Sequence, residues 1–405
     1  MFVAGITMLT TATAAALAVA GFYRAVIAMG TPPHAALWLS LLLGGATVLW
    51  PYGKSFYTEA WQAATMIWAA ALLLEARSAA RPQVNIAIAA ILLAVTGLTK
   101  VTSLVFVPGF VVAALVDTSM PQRRRVQVAA ALAAGIAVAT AGHLLWNGYR
   151  FGSMFDFGYD WSETIPVMPA RAFLISDIPR GLVVLLATPG KSLFLWAPVL
   201  VLAASGIGRI WRLDRGLAVG VATAVGIGLI FYSAYLFPEG GYAHGPRHLV
   251  PIVPLAALMA AGPAADRWPR AAWMACGGVG FAIGLFAVTV SFLEDQALRR
   301  DARGQVVAGY YEVIDPPPGR ANNRYRLGHI PFLTAIDSER WWQSPALGQG
   351  PDFFPRYLRQ ARQQLPDGGA IPLSFTWWWP AMWLAVMIGA GVALFRRPAA
   401  DGLPA

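Results

Sequence analysis

Lysine is almost missing from this chain of 405 residues: three occur, at Lys54, Lys100 and Lys191, within a combined Lys and Arg total of 30. Cysteine is scarcer still. The single Cys276 excludes a disulfide within the chain and leaves a thiolate metal cluster without ligands. It lies in an apolar run and reads as a small packed residue. Charge is also low. Charged residues make up 12% of the chain, where a soluble domain carries about 25%. With 57% hydrophobic residues and 16 Trp, this excludes an ordinary soluble domain. No internal repeat is visible, which argues against a solenoid. No basic residue precedes Arg24, so the positive start of a secretory signal is missing.

What is present is a series of long apolar runs. Candidate membrane helices fall near 2–21, 35–50, 60–76, 84–98, 101–117, 126–146, 192–208, 216–237, 249–264, 271–293 and 374–395. Each is close to the ~20 residues needed to cross a hydrocarbon core. The expectation is an all-α polytopic membrane protein with about eleven transmembrane helices. The short runs at 35–50, 84–98 and 249–264 fit tilted helices in a thinned region or partly re-entrant ones.

Short-loop arginines set the expected orientation. If the helices alternate, Arg77 and Arg81, Arg123 to Arg125, Arg209, Arg212 and Arg215, Arg267 and Arg270, and Arg396 and Arg397 share one side, which is then cytoplasmic. The breaks 51–59, 99–100, 147–180, 188–191 and 238–248 take the other side. This divides the chain into a transmembrane module over 1–293, an extramembrane segment over 294–372, and a last helix with a short cytoplasmic tail over 373–405. The expected location is a bacterial inner membrane. The N-terminus then lies outside without a positive flank, so the chain reads as starting one helix and one outer loop into a larger protein. A cleaved signal peptide ending in the small residues Ala15 to Ala20 is the other account, and the absent positive n-region argues against it.

The net charge of +10 does not point to nucleic acid. Much of it is the arginine rim, which suits anionic membrane lipids, and no helix shows a basic face. Residues 147–180 are rich in aromatics and acids, among them Asp156 and Asp160, and suit amphipathic helices in the membrane interface.

The three lysines and Arg247 lie on the side away from the arginine rim, against the positive-inside bias, and so suggest an anionic ligand there. Gly190-Lys191-Ser192 is not a Walker A motif, since the position requiring its first glycine is Leu185. It does place an ammonium beside the free amides of an expected helix start, an arrangement that binds anions. The plainer reading of Lys191 is a snorkelling lysine. Arg247 follows Gly240, Gly241, Gly245 and Pro246 and is flanked by His244 and His248. Its planar fork suits a phosphate, and pairing with Glu239 is the structural alternative. Glu59, at the edge of an apolar run, is a functional candidate by default or an ion pair with Lys54. No Asp, Glu or His cluster has metal-ligand spacing. The sequence requires no cofactor and leaves a divalent metal open.

Three blocks resemble the family 39-like branch of the GT-C glycosyltransferases, related to protein O-mannosyltransferases and aminoarabinose transferases. They are Trp50 to Glu59; Arg150 to Tyr159 followed by Thr188 to Pro198; and Gly245 to Pro254. The resemblance spans about residues 1–265. It implies transfer of a sugar, with inversion, from a polyprenyl-phosphate carrier to an acceptor at the outer membrane face. Basic residues at the membrane edge hold the carrier phosphate in such enzymes, and a carboxylate in the first outer loop deprotonates the acceptor. That loop would precede the first helix here. Lys54, Lys191, Arg247 and His248 match the donor-binding role, and Glu59 and Asp156 take the catalytic carboxylate role by default. The acceptor and the sugar are not specified. A transporter or flippase for a lipid-linked anion, and a non-catalytic assembly subunit, are the competing classes.

Overall fold

The computed structural model describes residues 2–289, except Phe56, 159–172, Pro189, Leu236, Glu239, Gly241, Tyr242 and 262–269; for residues 2–8, Arg270, Phe286 and Thr289 it describes the backbone alone. The expected segments 294–372 and 373–405, and the residues Asp160 and Glu239, lie outside the described residues.

Among the described residues the chain is mostly helical, and its only β pairing is an isolated bridge between Phe173 and Tyr235. The helices are α1 (Phe2–Ala28), α2 (Pro33–Gly45), α3 (Leu49–Gly53), α4 (Glu59–Glu75), α5 (Pro82–Thr99), α6 (Pro108–Val116), α7 (Gln122–Phe151), α8 (Ile178–Ala187), α9 (Leu193–Trp196), α10 (Val199–Leu213), α11 (Arg215–Ser233), α12 (Val253–Ala257) and α13 (Arg270–Thr289). Four of them contain stretches long and apolar enough to cross a membrane: Leu9–Ala28, Pro82–Thr99, Gln122–Phe151 and Arg215–Ser233. Shorter apolar stretches at Val101–Val116, Arg247–Ala260 and Ala271–Leu285 accompany them.

Prolines set many of these boundaries. Pro33, Pro82 and Pro108 open α2, α5 and α6, at the position where a missing N–H costs nothing. The expected continuous runs at 101–117 and 192–208 are each broken. The first divides into a 3-10 turn over Val101–Phe106 and α6, the second into the one-turn α9 and then α10 after Pro198. The expected helix 249–264 is a chain of short 3-10 and α turns from Arg247 to Ala260, interrupted by Pro251 and Pro254. A proline removes an intrahelical hydrogen bond and clashes with the preceding turn, so these runs are apolar enough to be buried yet cannot form one straight helix.

α1 packs along α4, α5 lies against both α4 and α7, and α6 packs against α11. The buried core runs through these contacts, with Phe22, Tyr52, Met66, Leu93, Phe106 and Trp196 among its largest members. Polar contacts fix the end of α4 that carries Glu75. The Glu75 carboxylate takes a two-point hydrogen bond from Arg24, at 2.8 and 2.7 Å, and the Arg24 guanidinium covers the Trp68 ring. Just beyond, Arg77 bridges Asp117 and Asp214, which follow α6 and α10. Asp214 also caps α11 by accepting from the Leu217 amide at 2.9 Å. These contacts place one end of α4, α6, α10 and α11 together. The other end of α4 is Glu59.

Candidate functional site

Glu59 begins α4 with its side chain 1% exposed. An isolated carboxylate in such surroundings is costly unless cations compensate it. Two do so at one atom. Lys100, at the C-terminal end of α5, donates to Glu59 Oε1 at 3.0 Å, and Arg247 Nε donates to the same oxygen at 2.9 Å. The second oxygen, Oε2, is buried and has no hydrogen-bond partner among the described residues.

Arg247 is held in place from several directions. Its guanidinium sits 3.8 Å from the centroid of the Tyr57 ring, a cation–π contact that holds the group over the aromatic face. Tyr57 in turn packs against Tyr52, whose hydroxyl donates to the His244 carbonyl at 3.1 Å. Only Nε of Arg247 forms a hydrogen bond within the described residues, so its two Nη groups are available for a ligand. The side chain is 26% exposed, which lets an incoming group reach them.

The glycines before Arg247 have a structural reason. Gly240 and Gly245 both adopt left-handed backbone, at φ 75 and 62°. A Cβ on Gly240 would stand 2.7 Å from the Cβ of Arg247, and one on Gly245 would press on the Trp196 ring at 2.8 Å. These glycines therefore let the loop pack directly onto Arg247 and Trp196. They do not simply leave space for a ligand.

His248 follows Arg247 into the 3-10 run and is buried. Its ring stacks on Tyr232 with centroids 4.6 Å apart and planes within 2°, and Tyr235 meets it edge-on. The charges of Lys100, Arg247 and Lys191 all act on this ring. Lys191 is buried too, and its ammonium donates to the Ala243 carbonyl in the loop that leads to Arg247. The helix start expected beside it is only the one-turn α9, where the Ser192 hydroxyl already accepts from the Leu195 amide. Lys191 thus contributes its charge and a loop contact, and the amides of α9 offer little to an anion.

The remaining predicted residues lie apart. Lys54 donates to the Val288 carbonyl on α13 at 2.7 Å, so its described contact joins α3 to α13 and does not run to Glu59. Asp156 is exposed on the turn after α7, accepts from the Gly158 amide at 2.8 Å, and makes no ion pair with the cations around Glu59. Lys100 is legible in the sequence as a rim lysine, with no local sign of its partner. Its pairing spans 41 residues and depends on α4 and α5 packing side by side. No group of three or more His, Cys, Asp or Glu able to hold a metal ion occurs among the described residues.

The ensemble is one carboxylate beneath two paired cations, a third buried ammonium nearby, and an aromatic support. It carries excess positive charge at the edge of an apolar protein and can bind an anion. Compared with protein-family models, curated proteins and solved structures, the chain finds no match in any of the three.

Proposed function

We propose that the chain is a polytopic membrane glycosyltransferase of GT-C type that uses a polyprenyl-phosphate-linked sugar as donor. The observation that carries this reading is the convergence of Lys100 and Arg247 on Glu59, with neither Arg247 Nη group hydrogen-bonded among the described residues. A fork over an aromatic face, fixed through Nε and free at Nη, suits two oxygens of a phosphate. Glycosyl transfer from such a donor needs cations of this kind. The acceptor oxygen bonds to the anomeric carbon as that carbon's bond to the phosphate oxygen breaks, and the polyprenyl phosphate departs with added negative charge. Preorganised cations in a water-poor site stabilise that charge as it develops.

In this reading Arg247 grips the phosphate, and Lys100 and Lys191 raise the local potential. Glu59 sets the position of both paired cations. The proton of the acceptor hydroxyl passes to a carboxylate, for which Glu59, whose Oε2 has no hydrogen-bond partner among the described residues, and Asp156 are the candidates in this chain. The arginine-rich end around Arg77 faces the cytoplasm and the Glu59 end faces outward, with about eleven spans in all. A labelled donor presented in nanodiscs tests the reading: it predicts binding, and product formation with release of polyprenyl phosphate when an acceptor is supplied. Failure to bind the donor would overturn it.

A further inference from the structure

A second feature lies at the opposite end of α4. The helix rises about 1.5 Å per residue, so its 17 residues separate Glu59 from Glu75 by about 24 Å. Beside Arg77, an open cleft runs between α4, α6, α7 and α11. Its wall is apolar, with Leu73, Phe110, Val128, Val221, Ala224 and Leu255 among its members. Arg77, Asp117 and Arg124 line it as well.

The charges near these residues are unequal. Arg77 is engaged by both Asp117 and Asp214. Arg124 makes a single long hydrogen bond, 3.4 Å to the Ala76 carbonyl, and Arg123 beside it is exposed. Arg125 donates to the Leu115 carbonyl at 3.2 Å, while its buried Nε has no hydrogen-bond partner among the described residues. Four arginines against two aspartates leave this end positive. An apolar cleft forfeits dispersion contacts unless something fills it, and in a chain with four membrane-length apolar helices the available filler is hydrocarbon. The positive end selects the sign of the attached headgroup.

We propose that this cleft is a lipid site, distinct from the Glu59 group, which takes one acyl chain of an anionic phospholipid from the leaflet on the arginine-rich side and sets the headgroup phosphate against Arg124. The full chain is reconstituted in vesicles of equal phosphatidylglycerol and phosphatidylcholine, extracted in mild detergent, and weighed intact by native mass spectrometry. Wild type should retain one phosphatidylglycerol in preference to phosphatidylcholine. Arg124→Gln should reduce that preference about fivefold, the loss of one cation's attraction for a net-negative headgroup, which zwitterionic phosphatidylcholine does not share, and Leu73→Trp should abolish retention of both lipids by filling the cleft. Each variant is first shown to extract as a monodisperse species. Should a variant fail that control, competition on wild type decides the matter: lysophosphatidylglycerol should displace the bound lipid, whereas excess inorganic phosphate and the chain-free headgroup glycerophosphoglycerol should not. Equal retention of the two lipids, occupancy by detergent only, an unchanged preference in Arg124→Gln, or displacement by inorganic phosphate would each overturn the proposal.

Discussion

Arg247 Nε and Glu59 Oε1 stand 2.9 Å apart although 188 residues separate them in the chain. The pair joins the first turn of α4 to the first residue of the 3-10 run Arg247–Ile252, with Lys100 on the same oxygen. Because the carboxylate is fully buried and the cations are only partly so, the anion here depends on its partners more than they depend on it.

Replacing Glu59 by Gln keeps the shape and removes the charge that holds two cations together. Breaking a buried pair by removing one partner costs about 3 kcal/mol or more, and the partial exposure of Lys100 and Arg247 places this case at the lower end. Thermal unfolding in a single detergent should show a clear fall in midpoint for Glu59→Gln. The double variant Glu59→Gln with Lys100→Met should fall by less than the sum of the two single changes. Additive effects would mean that the two side chains do not form a working pair.

Gly240→Ala tests how the loop holds Arg247. The new methyl meets the Arg247 Cβ and the left-handed backbone at this position disfavours any side chain, so the change should cost about 1–2 kcal/mol of stability. It should also weaken lipid-phosphate binding in a titration, although the substituted residue carries no charge. An unaltered affinity would show that the position of Arg247 is not set by this contact.

Orientation is open to a labelling test. In a Cys276→Ser background, Ser344→Cys should react with a membrane-impermeant reagent in intact cells and Thr118→Cys should not. Thr118 is exposed in the loop between α6 and α7, close to the Arg77 network. The reverse pattern would invert the proposed topology.

The residues of the Glu59 group were legible as types before they were legible as a site. Three lysines and one arginine on the side away from the arginine rim were a sequence signal, because the positive-inside bias makes such cations unusual. Their partners were not. Local spacing suggested Lys54 for Glu59, yet Lys54 reaches Val288, and the partners are Lys100 at the end of α5 and Arg247 at the start of the 3-10 run. Helix packing decides this, and no local rule carries it. Much the same holds for the fold. Apolar runs located α1, α5, α7 and α11, whereas the broken runs after Lys100, Lys191 and Arg247 depend on prolines whose effect on a buried segment is fixed by its neighbours. The Arg77 bridge to Asp117 and Asp214 had no local signature, since its members lie 40 and 137 residues apart.

Donor recognition at Arg247 is tested by a binding titration of the full chain in nanodiscs, comparing a polyprenyl-phosphate sugar with the uncharged polyprenol of the same length. The phosphate form alone should bind. Arg247→Ala should weaken it by about 1.5–3 kcal/mol, the contribution of a hydrogen bond to a charged group, with Arg247→Lys recovering only part because a point charge lacks the fork. Equal binding of polyprenol, or an unchanged affinity in a folded Arg247→Ala protein, would contradict it.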